Sequence, residues 1–138
     1  MVCSSQKPAP VRVLAIDDDP AVLEALKLIL TLEGFDVVEA DSGDAAIAAA
    51  RTESFDIAIT DLKMPGMSGL ETLAALRQID PSLPVIIASG FLAEEVADEC
   101  LSLGALAYIR KPFDLEDLFA LVQRALRERV GAPRLADI

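Results

Sequence analysis

The sequence predicts a doubly wound α/β fold: a five-stranded parallel sheet with helices on both faces. Three observations carry this expectation. From Val11 onward, short apolar runs alternate five times with longer helical patterns. Several of the short runs are nearly continuous in Val, Ile, Leu and Ala, as strands are when helices cover both faces of a parallel sheet. Polar residues follow those runs directly, where the strands of such a sheet end and ligands bind.

The expected strands are Arg12–Ile16, Asp36–Ala40, Ile57–Thr60, Val85–Ala88 and Ala107–Ile109. After the first, Asp19 suits a helix cap, Pro20 the first turn and Gly34 a left-handed exit, with Val22, Leu26, Ile29 and Glu33 stepping at helical spacing. The alanine-rich run Ala45–Ala50 suits a second helix packed close to the sheet. The third opens on a capping box, Ser68 with Glu71, and sets Leu70, Leu73 and Leu76 on one side. Ala93–Leu103, closed by Gly104, forms the fourth, and the fifth starts at Asp114 and buries Leu115, Leu118, Phe119, Val122 and Leu126. Met1–Pro10 reads as a mobile polar arm, 11–129 as one domain, and 130–138 as a tail or the start of a linker, because periodicity fades after Val130.

A length of 138 residues suits one core. Although 53% of the residues are hydrophobic, no apolar run reaches the roughly 20 residues of a membrane span, and the first residues lack the apolar stretch of a secretory signal. A soluble, cytoplasmic protein is the expectation. Cys3 and Cys100 show no metal-knuckle spacing, and a disulfide between them is not expected. A formal charge of −11 opposes binding to nucleic acid or anionic lipid. The absence of histidine excludes histidine triads, imidazole metal sites and any phosphohistidine within this chain.

The residues just past the strand ends are Asp17, Asp18 and Asp19, then Asp61, Ser89 and Lys111. The strand order 2-1-3-4-5 is taken over from this fold class and makes strands one and three neighbours, so Asp17, Asp18 and Asp61 would converge. Converging carboxylates repel unless a proton or cation relieves them. A few oxygen ligands with room for water suit Mg²⁺, and without a soft ligand zinc or copper is disfavoured. A carboxylate can attack phosphorus to give an aspartyl phosphate, a reaction assisted mostly by positioning and charge neutralisation. Asp61 is the expected acceptor, with Mg²⁺, the Lys111 ammonium and the Ser89 hydroxyl each meeting one phosphoryl oxygen. Singly, each has a plainer explanation: Asp19 as a helix cap, Lys111 as a solvated charge, Ser89 as a turn residue. Their joint placement favours the site.

The motifs Val13-Leu14-Ala15-Ile16-Asp17-Asp18-Asp19, Thr60-Asp61-Leu62-Lys63-Met64-Pro65-Gly66-Met67-Ser68-Gly69, Ile87-Ala88-Ser89-Gly90 and Tyr108-Ile109-Arg110-Lys111-Pro112-Phe113 together resemble the receiver domain of bacterial two-component response regulators over about Val11–Arg129. The resemblance implies a flavodoxin-like (βα)5 fold with sheet order 2-1-3-4-5. It implies phosphorylation of Asp61 by a partner histidine kinase or histidine phosphotransfer protein. It further implies Mg²⁺, replaceable by Mn²⁺, on Asp18, Asp61 and the backbone carbonyl of Lys63, with Asp17 helping through water, and a cis Lys111–Pro112 bond. In the implied switch Ser89 moves toward the phosphoryl group, Tyr108 fills the space it leaves, and the face of the fourth helix, fifth strand and fifth helix changes for an output domain or a homodimer. Lys63 and Phe91 are the positions that tune phosphoryl lifetime in such domains; neither is a water-positioning acid or amide, which predicts slow self-dephosphorylation.

Two other classes compete. Asp17 and Asp19 have the Asp-x-Asp spacing of haloacid-dehalogenase-like phosphohydrolases, but Pro20-Ala21 follows where such enzymes carry a hydroxyl residue, and the chain is short for that fold. A phosphorylation-independent interaction module would keep the fold and lose the chemistry, against which the complete acceptor set argues. Output is not legible: the segment after Asp61 and Lys111–Leu118 are similar to receivers attached to transcriptional activators, while a free-standing regulator or relay shuttle is equally compatible. Arg124, Arg127, Glu128 and Arg129 read as a solvated face, with a contribution to a dimer or a coiled linker as the lesser alternative.

Overall fold

The computed structural model describes residues 10–90 and 94–131. Its elements alternate as β1 (Arg12–Ile16), α1 (Pro20–Leu32), β2 (Asp36–Ala40), α2 (Gly43–Thr52), β3 (Ile57–Thr60), α3 (Gly69–Ile79), β4 (Val85–Ser89), α4 (Glu94–Ser102), β5 (Ala107–Arg110) and α5 (Leu115–Gly131). The strands form one sheet in the order β2-β1-β3-β4-β5, every pair parallel. The first three strands have the expected bounds, and β4 and β5 each run one residue further. The arm at 1–9, Phe91, Ala93 and the tail at 132–138 lie outside the described residues.

Alternation along the strands builds two cores. Leu14, Ile16, Ala58, Val85 and Ile87 pack on one face with Leu73 and Leu76 of α3 and Ala97 and Cys100 of α4. Val13, Ala15, Ile57, Ile59 and Ile86 pack on the other with Leu23, Leu26 and Leu30 of α1 and Leu118, Val122 and Ala125 of α5. Each fully buried leucine contributes about 1.5–3 kcal/mol relative to exposure.

Local chemistry sets the helix ends. Asp19 Oδ1 accepts from Ala21 N at 2.9 Å, and α1 leaves through Gly34 at φ +89°. Ser42, not assigned from sequence, caps α2 by accepting from Ala45 N at 3.1 Å. The Ser68–Glu71 box is reciprocal, Glu71 N donating to Ser68 Oγ at 3.2 Å and Ser68 N to Glu71 Oε1 at 3.0 Å.

Two expectations about helix faces are corrected. In α1 the buried stripe is Leu23, Leu26 and Leu30; Val22 and Ile29 are half-buried and Glu33 is the exposed C-cap. That helix is apolar over much of its circumference, so spacing alone left its inward direction open. Leu115 is 47% exposed, because the sheet-facing row of α5 begins only at Leu118.

Candidate functional site

The sheet ladder sets out the site. Asp17 N donates to Ala40 O at 3.1 Å, Asp61 N to Ile16 O at 3.0 Å, and Lys111 N to Ser89 O at 2.9 Å. Each residue therefore sits one step past its strand with its backbone still tied to the neighbouring chain. β1 and β3 are adjacent, and the fold brings ligand oxygens of Asp17, Asp18 and Asp61 within 4.8 Å of one another. Asp18 is exposed, while the side chains of Asp17 and Asp61 keep only 3% and 13% of their accessibility.

Lys111 closes the cluster from β5. Its ammonium donates to Asp17 Oδ2 at 2.5 Å and lies 3.5 Å from Asp61 Oδ2. The short pairing with Asp17, across 94 residues of chain, was not foreseen, and no local signal in the sequence announces it. Three carboxylates and one ammonium carry a formal charge of −2, in an all-oxygen pocket partly shielded from water. Such a set fits a divalent hard cation.

Two of the three acidic side chains are also held from behind. Asp17 Oδ1 accepts from Asp19 N at 2.9 Å, and Asp61 Oδ1 from Leu62 N at 2.7 Å. The capping role of the exposed Asp19 carboxylate directs it to the α1 amide of Ala21, not into the cluster. Thr60, buried at the end of β3, donates its hydroxyl to the Asp61 carbonyl oxygen at 3.0 Å. Sequence reasoning gave it no role, although a hydroxyl ending an otherwise aliphatic strand is a readable signal.

Ser89, at the end of β4, is buried, and Lys63 is exposed in the loop after Asp61. Tyr108 is 39% exposed on β5 and lines a groove of about 590 Å³ with Arg110, Phe113 and Leu121. In register Tyr108 pairs with Ile87 and Arg110 with Ser89, so the side chains of Tyr108 and Ser89 leave the same face of the sheet. The Lys111–Pro112 bond is cis. Among the described residues no helix is long and apolar enough to cross a membrane.

Comparison with known proteins agrees with this geometry. The probable transcriptional regulatory protein TcrX of Mycobacterium tuberculosis is 39% identical over 122 residues, covering 88% of this chain and 52% of that protein. A cyclic di-GMP phosphodiesterase of Thermotoga maritima is 36% identical over 118 residues, 86% of this chain and 32% of that one. The chain thus spans about half or less of the length of these relatives. A CheY-like response regulator receiver domain protein from Methanospirillum hungatei superposes with a TM-score of 0.86 at 33% identity, covering 89% of this chain and 98% of that one. Residues 13–123 match the response regulator receiver domain, and with four-fifths of its length inside that match the chain belongs to this family of regulatory domains.

Proposed function

We propose that this chain is a phosphoacceptor switch in which Asp61 takes a phosphoryl group from a histidine kinase or histidine phosphotransfer protein. The observation that carries the reading is the convergence of Asp17, Asp18 and Asp61 within 4.8 Å, with Lys111 Nζ 3.5 Å from Asp61 Oδ2, at the ligand edge of a receiver-family sheet. Leu62 N holds Asp61 Oδ1, which leaves Oδ2 to attack phosphorus. A new O–P bond forms at Asp61 as the P–N bond to the donor imidazole breaks, and the departing ring keeps the electron pair and takes a proton.

Lys111 releases Asp17 in part to meet one phosphoryl oxygen, and Ser89 donates its hydroxyl to another. Asp18, Asp61 and the Lys63 carbonyl, with Asp17 through water, would hold Mg²⁺ or Mn²⁺, which neutralises charge on the transferring group. Asp17 keeps its second oxygen on Asp19 N, so the pocket retains its shape while the ammonium moves.

The shared sheet face of Ser89 and Tyr108 supports their coupling: Ser89 moves toward phosphate and Tyr108 turns inward from its half-exposed position. The α4-β5-α5 face then presents a different surface to an output domain or to a second copy of the chain. A swing from 1:99 to 99:1 requires about 5.5 kcal/mol of differential interaction. The working unit is residues 11–129, in a cytoplasmic setting beside its kinase, with no direct contact to nucleic acid or membrane. Lys63 and Phe91 set the phosphoryl lifetime, and its expected length is minutes or more. The test is incubation with acetyl phosphate and Mg²⁺ followed by intact-mass measurement: the chain gains one phosphoryl mass and Asp61→Asn gains none. Equal labelling of the two would end this reading.

A further inference from the structure

We infer that Thr60 is a positioning residue for phosphoryl acceptance, acting on the Asp61 carboxylate through the peptide plane between Asp61 and Leu62. This rests on the receiver reading of Asp61 and adds a residue to it.

Thr60 is fully buried at the end of a strand whose other residues are Ile57, Ala58 and Ile59. Valine has the same shape, suits a buried strand better and carries no hydroxyl to desolvate. The hydroxyl present donates to the Asp61 carbonyl oxygen at 3.0 Å, at the point where the sheet ladder stops. That oxygen is confined from a second side by the start of α3. A Cβ on Gly69 would stand 2.2 Å from it and 2.6 Å from Leu62 Cα, and Gly69 N donates to Leu62 O at 2.8 Å.

The Asp61 C=O and the Leu62 N–H belong to one rigid plane. Its carbonyl end is gripped by Thr60, and its amide end donates to Asp61 Oδ1 at 2.7 Å. Turning the plane therefore turns the amide that orients the acceptor carboxylate. Asp61 N, fixed on Ile16 O at 3.0 Å, prevents the rest of the residue from following. Thr60 thus holds Asp61 Oδ2 in register with Asp17, Asp18 and Lys111 through the backbone of Asp61 and Leu62.

The experiment compares wild type, Thr60→Val and Thr60→Ser in three measurements. These are the Mg²⁺ dissociation constant by calorimetry without a phosphodonor, the urea midpoint without metal, and the maximal rate and half-saturation with acetyl phosphate. Misplacement of reacting groups by an ångström costs on the order of 100-fold, so a partial loosening in Thr60→Val is expected to slow the maximal rate about tenfold and weaken Mg²⁺ several-fold. Its urea midpoint should not fall in proportion. Thr60→Ser, which keeps the hydroxyl and loses the methyl, is expected to stay within about twofold of wild type in rate and Mg²⁺ affinity, whatever stability it loses. The inference is overturned if Thr60→Val matches wild type in both, or if Thr60→Ser declines as far as Thr60→Val. Wild type that takes no phosphate would overturn the receiver reading instead, and the Mg²⁺ affinities would still decide what Thr60 does.

Discussion

Replacing Asp61 by Asn should stabilise the metal-free protein, although it removes one partner of Lys111. The charge leaves a cluster in which Asp17 and Asp18 lie within 4.8 Å of it and Lys111 at 3.5 Å. At an effective dielectric of about 20, each like-charge pair at that spacing repels by about 3.5 kcal/mol or more, while the ammonium attracts by about 4.7 kcal/mol. Two repulsions relieved outweigh one attraction lost, by about 2 kcal/mol before screening. Because Asp18 is exposed, water reduces that margin, and about 1 kcal/mol is the expected gain. Asn keeps an oxygen for the 2.7 Å bond from Leu62 N, and Lys111 keeps Asp17, so little else is lost. The assay is urea unfolding followed by far-ultraviolet circular dichroism, first in EDTA and then in Mg²⁺. In EDTA the variant should unfold at higher urea than wild type. At 100 times its dissociation constant Mg²⁺ should raise wild-type stability by about 2.7 kcal/mol and the variant's by much less. A variant less stable than wild type in EDTA, or equal Mg²⁺ stabilisation of both, would refute the account of the cluster as a strained anionic pocket that needs a cation.

Lys111→Met should have the opposite effect: with the ammonium gone, the metal-free protein should lose about 2–3 kcal/mol, with added Mg²⁺ restoring part of it, as urea midpoints in EDTA and Mg²⁺ will report. Burial, with Glu99 adding to it, pushes the Cys100 thiol up, so its stabilising contribution is complete below the ordinary thiol range and declines as pH rises above about 8.5, where the unfolded chain ionises first. Between pH 7.5 and 9.5 wild type should lose more stability than Cys100→Ala, and an equal loss would show that the thiol is not responsible. Arg12 pairs with Glu53 at 2.6 Å and Asp36 at 3.2 Å and lies over the Phe55 ring at 5.2 Å, on a side chain that retains 30% of its accessibility. Arg12→Ala should therefore cost only about 1–1.5 kcal/mol, less in high salt, and leave phosphoryl acceptance unchanged because this ion-pair cluster lies at the opposite rim of the sheet.

The sequence by itself determined the βα alternation and the bounds of β1, β2 and β3. Strands β1 and β3 are covered on both faces and so nearly all apolar, with Asp17 and Asp61 marking their ends, while the edge strand β2 keeps only the interrupted pattern of Val37, Val38 and Ala40 between acidic residues. It also determined the Asp19 and Ser68 caps, whose bonds are local, and which residues stand at the ligand edge, since Asp17, Asp61 and Lys111 each directly follow a strand. Only the tertiary structure decided which way α1 faces and that Leu115 is left outside, since Leu23, Leu26 and Leu30 were chosen over Val22 and Ile29 by the sheet and α5 they meet. The same holds for the Lys111–Asp17 pair and for the Asp61 carbonyl confined between Thr60 and Gly69. Hydrophobic period and capping act within one turn or one strand and are legible along the chain. Charge pairing and close approach act between groups that are neighbours only after the chain has folded.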